Sequence, residues 1–177
     1  MSLDAAPSDL LVDHAGLLHG TIDQPVLDLA CGDGRNGLWL AARGVPVVFA
    51  DRDREKLDAI ATVMPPGCRI LSVDLEAARG PDVLAGQRFS AVLVFRYLHR
   101  PLVPLLRDLV VPGGFIIYET FTVDQPRYGR PKRPEFLLEK GELRRWFAGW
   151  EEIHWFEGVR RQPVPAAIAR LVCRRPL

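Results

Sequence analysis

The sequence predicts an α/β fold built on a mostly parallel sheet that helices cover on both faces. Short apolar runs recur along the chain, and the stretches between them are long enough for crossover helices. Near-continuously apolar strands that alternate with helices are typical of a parallel sheet buried on both sides. The length of 177 residues fits one compact domain, which we expect to cover residues 1–177.

Five apolar runs define the predicted parallel strands. In chain order they are Val26 to Ala30, Val45 to Ala50, Ile70 to Val73, Phe89 to Phe95 and Phe115 to Phe121. The clearest crossover helix follows the second strand, with Asp53 as its predicted N-cap and Pro65 as its stop. Its apolar face consists of Leu57, Ile60, Ala61 and Met64. Two more helices are predicted. One covers about residues 36–43 and ends at Gly44, and the other carries a leucine stripe after Pro101.

The last part of the chain changes character. Leu143, Trp146 and Phe147 predict one more helix, and two strand-like runs follow, at Glu152 to Phe156 and Ala166 to Cys173. Only about nine residues join those runs, which is too short for a helical crossover. We therefore expect the last two strands to be antiparallel.

Composition excludes several classes of protein. Hydrophobic residues make up 48% and charged residues 25%, the usual balance of a globular protein. No apolar run approaches the roughly 18 residues of a membrane span, and Asp4 and Asp9 lie where a secretory signal would be basic. Cys31, Cys68 and Cys173 lack CxxC spacing, so we expect reduced thiols and no metal site. The sequence predicts a cytoplasmic protein with no membrane contact.

A glycine-rich turn follows the first strand. Gly32, Gly34 and Gly37 form a GxGxxG pattern, and Asp51 closes the second strand 19 residues after Gly32. This pattern is typical of dinucleotide sites. However, Asp28 lies inside the strand and the chain has no room for a second catalytic domain, which argues against a nicotinamide or flavin cofactor. A nucleotide-dependent oxidoreductase that uses the Gly32-Gly34-Gly37 loop stays open as an alternative.

The segment from Leu27 to Asn36 resembles motif I of class I S-adenosylmethionine-dependent methyltransferases. Ala30, Gly32 and Gly34 occupy its small-residue positions, and Asp28 occupies its acidic position. This resemblance implies a Rossmann-like methyltransferase fold, with a mostly parallel seven-stranded sheet, an antiparallel last strand and helices on both faces.

A more specific resemblance links two distant segments. The resemblance to class I methyltransferases covers about residues 20–175, and within it residues 32–44 and Glu139 to Ile153 are similar to the tellurite-resistance methyltransferases. Where that family has a His-Arg pair, this sequence has Arg160-Arg161. The family's acceptor is therefore not carried over.

The resemblance also implies which residues bind S-adenosylmethionine. Asp51 matches the carboxylate that takes the ribose hydroxyls, and Asp74 with Leu75 matches the pair that contacts adenine. The full predicted cofactor site is Asp28, Ala30, Gly32, Gly34, Asp51, Arg52, Asp74, Leu75 and Phe95. Each carboxylate has a structural alternative: Asp51 as a helix cap, Asp28 as a ligand of loop amides, and Asp74 as a turn former.

Three residues are candidates for catalysis at the acceptor. His99 follows the fourth strand and could remove a proton from a thiol or hydroxyl, although a capping or surface role fits equally well. Tyr118 lies on the fifth strand. Arg127 belongs to an insertion at 122–138 with four cations between residues 127 and 133. That insertion is either a lid that attracts an anionic acceptor or a solvated loop.

The charge distribution supports an anionic acceptor. Residues 1–121 hold 11 Lys and Arg against 15 Asp and Glu, a net charge of −4, whereas residues 122–177 hold 12 against 7, a net charge of +5. The segment Phe95 to Arg100 lacks the Asp/Asn-Pro-Pro-aromatic pattern of nucleic-acid amino-methyltransferases. We therefore expect a small-molecule acceptor rather than a nucleic acid.

Together these observations predict a methyltransferase that acts on a small anionic or soft nucleophile, such as a chalcogen oxyanion, a thiol or a carboxylate. A non-catalytic cofactor-binding module is a further alternative. A short helix at about 8–19 covers little of the predicted site, so a homodimer or a partner subunit stays open. We expect Asp51→Ala to abolish cofactor binding, and Arg127→Ala to impair turnover alone.

Overall fold

The structure, a computed structural model, describes residues 6–19 and 23–177 of the chain. Within these ranges seven strands form one sheet. They are β1 (Val26–Leu29), β2 (Val47–Asp51), β3 (Arg69–Ser72), β4 (Phe89–Phe95), β5 (Val110–Phe121), β6 (Glu151–Arg160) and β7 (Ala166–Arg174). Asp4, on which part of the localisation argument depends, lies outside the described residues.

The strands lie in the order β3-β2-β1-β4-β5-β7-β6. The first five are parallel to one another, and β7 is antiparallel to both β5 and β6. This arrangement confirms the predicted sheet, including its antiparallel last strand. Because the first five strands are parallel, their carboxyl ends meet at one edge, where open α/β sheets bind ligands.

Five α-helices lie in the described part of the chain. They are α1 (Asp9–His14), α2 (Arg35–Ala41), α3 (Arg54–Ala61), α4 (Val103–Leu109) and α5 (Glu142–Trp146). None of the helices described is both long and apolar enough to cross a bilayer. The weakly patterned stretch after β3 contains one 3₁₀ turn, Gly80–Leu84, which is anchored by the buried Leu84.

Two apolar clusters cover the two faces of the sheet. One contains Leu40 and Ile60 from α2 and α3, together with Leu11 from α1. The other contains Leu106 from α4 and Leu143 from α5. Burial on both faces explains why the central strands are almost continuously apolar.

Two strands extend well beyond their predicted ends. Strand β5 begins at Val110 rather than Phe115, because Gly113 and Gly114 exchange backbone hydrogen bonds with Arg175. Gly113 does so with a left-handed φ of +76°. Strand β6 runs on to Arg160, so residues 161–165 alone connect it to β7. Proline and glycine residues near the ends of these strands hid both extensions in the sequence.

Candidate functional site

The backbone is unusual at the carboxyl ends of β1 and β4. Ala30, directly after β1, has a φ of +54°, and Arg96, directly after β4, has a φ of +57°. Residues other than glycine rarely adopt a backbone conformation in this left-handed region, and such backbone strain is concentrated at functional sites. The Arg96 conformation is held from the neighbouring strand, because its N–H donates to the Glu119 carbonyl at 2.8 Å.

Asp28 ties the glycine loop to α2. Its side chain is buried, and Oδ2 accepts a hydrogen bond from the Gly37 N–H at 2.9 Å. Burial raises the pKa of Asp28 to about 7. A Cβ at position 37 would lie 2.4 Å from a Phe49 ring atom and 2.8 Å from Asp28 Oδ2, so only glycine fits there. Of the two interpretations of Asp28, the structure favours the one in which it holds the loop.

Asp51 joins the loops that follow β1 and β2. Its Oδ2 accepts from the Gly32 N–H at 2.8 Å, and its Oδ1 accepts from the Asp53 N–H at 2.9 Å. The N-cap of α3 is Asp53, which accepts from the Lys56 N–H at 3.2 Å. The alternative in which Asp51 caps this helix is therefore wrong, and the predicted Asp53 cap is confirmed.

A cavity of about 250 Å³, the smaller cavity, lies beside Asp51. Five predicted cofactor residues line it: Ala30, Asp51, Arg52, Asp74 and Leu75. Asp74 also forms a turn, because its Oδ1 accepts from the Glu76 N–H at 3.0 Å. Its two interpretations are thus compatible, since one carboxylate oxygen forms the turn while the residue borders the cavity.

A second cavity, the larger cavity, has a volume of about 740 Å³ and lies between β4, β5 and the insertion at 122–138. Its walls are formed by Glu76, Arg96, Tyr97, Leu98, Thr120, Phe121, Arg130, Pro131, Lys132, Arg133 and Phe136. Three of these residues, Glu76, Arg96 and Tyr97, also line the smaller cavity. We call these three residues the shared wall, because they bring the two cavities side by side.

Four predicted cofactor residues line neither cavity: Asp28, Gly32, Gly34 and Phe95. Gly32 and Gly34 adopt left-handed conformations that shape the loop, with φ of +56° and +72°. A Cβ on Gly32 would meet no atom within 4 Å, whereas one on Gly34 would lie 2.7 Å from Ile60. Phe95 packs against the cluster under α2 and α3.

The structure does not bring the three predicted catalytic residues together in a cavity. His99 precedes the 3₁₀ turn Arg100–Leu102, makes no side-chain cap there and lines neither cavity. Tyr118 is buried, and its hydroxyl donates to the Tyr97 carbonyl at 3.0 Å. Burial raises the pKa of Tyr118. Arg127 is 76% exposed, pairs with Asp124 at 3.4 Å and lies outside the larger cavity.

Sequence reasoning missed the shared wall. Arg96 and Tyr97 follow β4 directly, but from this segment only His99 was selected as a catalytic candidate. The Tyr97 hydroxyl is buried and has no hydrogen-bond partner among the residues that the structure describes. Burial and the charges of Glu76 and Asp74 raise its pKa. Their position directly after β4 was the one feature of the sequence that could have identified Arg96 and Tyr97 as site residues.

Polar side chains outside the cavities anchor the insertion. Arg100 donates from Nε to Glu142 Oε1 at 2.7 Å and from Nη2 to Glu142 Oε2 at 2.9 Å. The same guanidinium donates to the Leu137 carbonyl at 2.9 Å. Gln125 donates to the Arg130 carbonyl at 3.0 Å and accepts from the Ala167 N–H at 2.8 Å. The insertion is therefore tied to the domain at both of its ends.

Comparison with known proteins adds an independent finding. The model of the family described as Tellurite resistance protein TehB matches residues 20–162. The Probable S-adenosyl-L-methionine-dependent methyltransferase TehB of Haemophilus influenzae is 26% identical over 141 residues, 76% of this chain and 48% of that protein. The chain spans about half the length of the curated relatives it matches.

Solved structures share the fold. The crystal structure of TehB from Haemophilus influenzae has a TM-score of 0.75 at 18% identity, covering 93% of this chain and 61% of that chain. The glycopeptide N-methyltransferase MtfA, complexed with S-adenosyl-L-homocysteine, has a TM-score of 0.66 at 16% identity, covering 99% and 92%. These likenesses confirm the predicted fold class.

Proposed function

Because the chain belongs to the tellurite resistance protein TehB family, we propose that it transfers the methyl group of S-adenosylmethionine to a small anionic or soft nucleophile. The observation that carries this proposal is the pair of cavities that meet at the shared wall. One holds carboxylates at strand ends and the other is bordered by cations. A donor and an acceptor of different chemistry would each have a compartment.

The residues of the smaller cavity fit the adenosine part of S-adenosylmethionine. Asp51 and Asp74 offer carboxylate oxygens to hydroxyl and amino donors, while Val73 and Leu75 provide apolar surface for a base. Asp51 already accepts two backbone N–H groups, and each carboxylate oxygen has a second lone pair for the ribose. The buried, unpartnered Tyr97 hydroxyl beside this cavity is a further polar group that a ligand could satisfy.

When bound, S-adenosylmethionine supplies a methyl group on a cationic sulfur, and the electron pair of the broken bond stays on that sulfur. The chain's own residues contribute position. Asp51 and the loop after β1 hold the donor, and the shared wall aligns it with the larger cavity. Productive transfer requires the nucleophile at about 3–3.5 Å and in line with the breaking bond.

Proton removal makes modest demands on the protein. A chalcogen oxyanion, a thiolate or a carboxylate attacks in its ionised form, and its proton has already left to solvent. The cations of the larger cavity favour that ionised form electrostatically. Because the acceptor attacks in its ionised form, this chemistry needs no general base from the protein.

Isothermal titration of the purified protein with S-adenosylmethionine, S-adenosylhomocysteine and NADH tests the proposal. We expect micromolar binding of the first two and no binding of NADH. Binding of NADH alone would overturn the proposal and favour an oxidoreductase. Methyl transfer is then measured as S-adenosylhomocysteine release with selenite, tellurite and small thiols. Tight donor binding without any turnover, including with organic acids, would indicate a non-catalytic binding module.

A further inference from the structure

We infer that the acceptor is an organic anion with an apolar body, rather than a bare oxyanion. This inference rests on the proposed function and specifies the acceptor class that the larger cavity takes. It depends on three features of that cavity: its volume, the separation of its two ends, and the mixture of cations and apolar side chains in its walls.

The volume exceeds what an inorganic oxyanion needs. At about 30 Å³ for each water in the liquid, an oxyanion of four heavy atoms takes up on the order of 100 Å³. The larger cavity measures about 740 Å³, well inside the range typical of sites for organic ligands. An oxyanion alone would leave most of this space to water, and the guanidinium groups would remain hydrated.

The cavity has two distinguishable ends. The shared wall borders the donor cavity as well, so the reacting atom of the acceptor belongs beside Arg96 and Tyr97. Residues of the insertion line the larger cavity and do not line the smaller one, which places them at the far end. An acceptor that contacts both ends must span the cavity.

Three of the four cations that line the larger cavity lie at its insertion end. Arg130, Lys132 and Arg133 come from the insertion, and Glu76 at the shared wall is the one carboxylate in the lining. Arg133 has a distant partner, Glu135, at 3.9 Å. Within the described ranges, no carboxylate lies within ion-pair distance of Arg130 or Lys132. These cations are free to bind an anionic group of a ligand.

Apolar side chains lie among these charges. Leu98 and Phe121 line the cavity from the ends of β4 and β5, and Phe136 lines it from the insertion while remaining 41% exposed. An exposed aromatic ring at a cavity mouth gains stability when a ligand covers it. A ring or branched chain between the reacting atom and the anionic group fits this lining, and the ligand class is an aryl or branched-alkyl acid that carries a nucleophile.

The transfer balances without a further reactant. For a thiol-bearing acid, the ionised sulfur forms a bond to the methyl carbon, and the donor's carbon–sulfur bond breaks with its electrons on the donor sulfur. The thiol proton leaves to solvent before attack. The products are a methyl thioether acid and S-adenosylhomocysteine.

The test uses three thiols with the full chain, and rates are compared per ionised thiol because aryl thiols ionise at lower pH than alkyl thiols. 4-Mercaptobenzoate has the thiol, the ring and a distal carboxylate; thiophenol lacks the carboxylate; mercaptoacetate lacks the ring. Selenite and tellurite are the oxyanion arms. We expect kcat/KM for 4-mercaptobenzoate to exceed that of every other arm by roughly tenfold or more. Titration of 4-mercaptobenzoate into the S-adenosylhomocysteine complex should show saturable binding.

Variants separate the anion contact from the ring contact. The double variant Lys132→Ala/Arg133→Ala should lose roughly tenfold in affinity for 4-mercaptobenzoate and nothing for thiophenol. Phe136→Ala should weaken both aromatic thiols and leave mercaptoacetate unchanged. Lys140→Ala, which removes an exposed cation that lines neither cavity, is the control and should change none of them.

The outcomes distinguish the two proposals. Turnover of selenite or tellurite with a higher kcat/KM than 4-mercaptobenzoate would overturn the inference and leave the methyltransferase proposal standing. Equal activity on thiophenol, mercaptoacetate and 4-mercaptobenzoate would overturn the inference in the same way. So would a protein that binds S-adenosylmethionine but neither binds nor methylates 4-mercaptobenzoate. Absence of S-adenosylmethionine binding would overturn both.

Discussion

The smaller and larger cavities share three wall residues, yet their charged groups are held in opposite ways. Asp51, in the smaller cavity, is fixed by two backbone N–H groups at 2.8 and 2.9 Å. In the larger cavity, Lys132 and Arg133 are exposed side chains on an insertion. A carboxylate held by backbone N–H groups suits an invariant donor, whereas exposed cations suit an acceptor that must enter and leave. Substitutions should therefore have sharp effects in the first cavity and graded effects in the second.

The largest effect is expected from Asp51→Ala. The variant loses the link between the two loops as well as the ribose contacts, and two hydrogen bonds to a charged group contribute about 3–6 kcal/mol. The affinity for S-adenosylmethionine, measured by titration calorimetry, should fall by roughly 100-fold or more. The control is Asp58→Ala, which removes an exposed carboxylate from α3, the helix that follows Asp51, and should bind S-adenosylmethionine normally. Unchanged affinity in Asp51→Ala would remove Asp51 from the site.

A second prediction concerns the pH dependence of Asp28. Because burial raises its pKa from 3.8 to about 7, the folded protein keeps a proton that the unfolded chain releases between these values. The stability that this bound proton contributes is thus fully present below pH 4 and is lost as the pH rises through 7. Asp28→Asn should be more stable than the parent at pH 8 by about 2–4 kcal/mol in denaturant melts, with little difference at pH 4. The same stability difference at both pH values would contradict a raised pKa.

The anchor of the insertion should have a smaller effect. Glu142→Ala removes both hydrogen bonds from Arg100 and the one from the Glu139 N–H at 2.8 Å. We expect the free energy of unfolding to fall by about 1–3 kcal/mol, with KM for the acceptor raised more than Kd for S-adenosylmethionine. Glu135→Ala, which removes a 58% exposed carboxylate of the insertion, is the matched comparison. A Glu142→Ala variant with a donor defect alone would show that the insertion does not serve the larger cavity.

The smallest effect is expected from Arg127→Ala. The sequence singled out this residue, but its side chain is 76% exposed and pairs with Asp124 outside the larger cavity. The geometry predicts a change in kcat/KM of less than about twofold, typical of an exposed ion pair. A tenfold loss in steady-state assays would mean that the insertion closes further when the acceptor binds.

The strand ends and turns beside the smaller cavity could be predicted from sequence because local backbone rules fix them. A buried strand that ends in small residues, a carboxylate after the next strand and a capped helix determine where Asp51 and Asp53 lie. The acceptor side could not, because the direction of Arg127, Arg130 and Lys132 depends on how Arg100 and Gln125 anchor the insertion. The contacts of Arg100 with Leu137 and of Gln125 with Ala167 join residues 37 and 42 positions apart, which no periodic pattern reveals.

The close fit around Gly37 also bears on engineering this protein for heat resistance. Replacing a helical glycine by alanine usually gains stability, because the unfolded chain loses conformational freedom. Position 37 is closed to that strategy, since a methyl group there would collide with Phe49 and Asp28. Gly16, which has open space around it and no left-handed φ, is the position at which a thermostabilised version should begin.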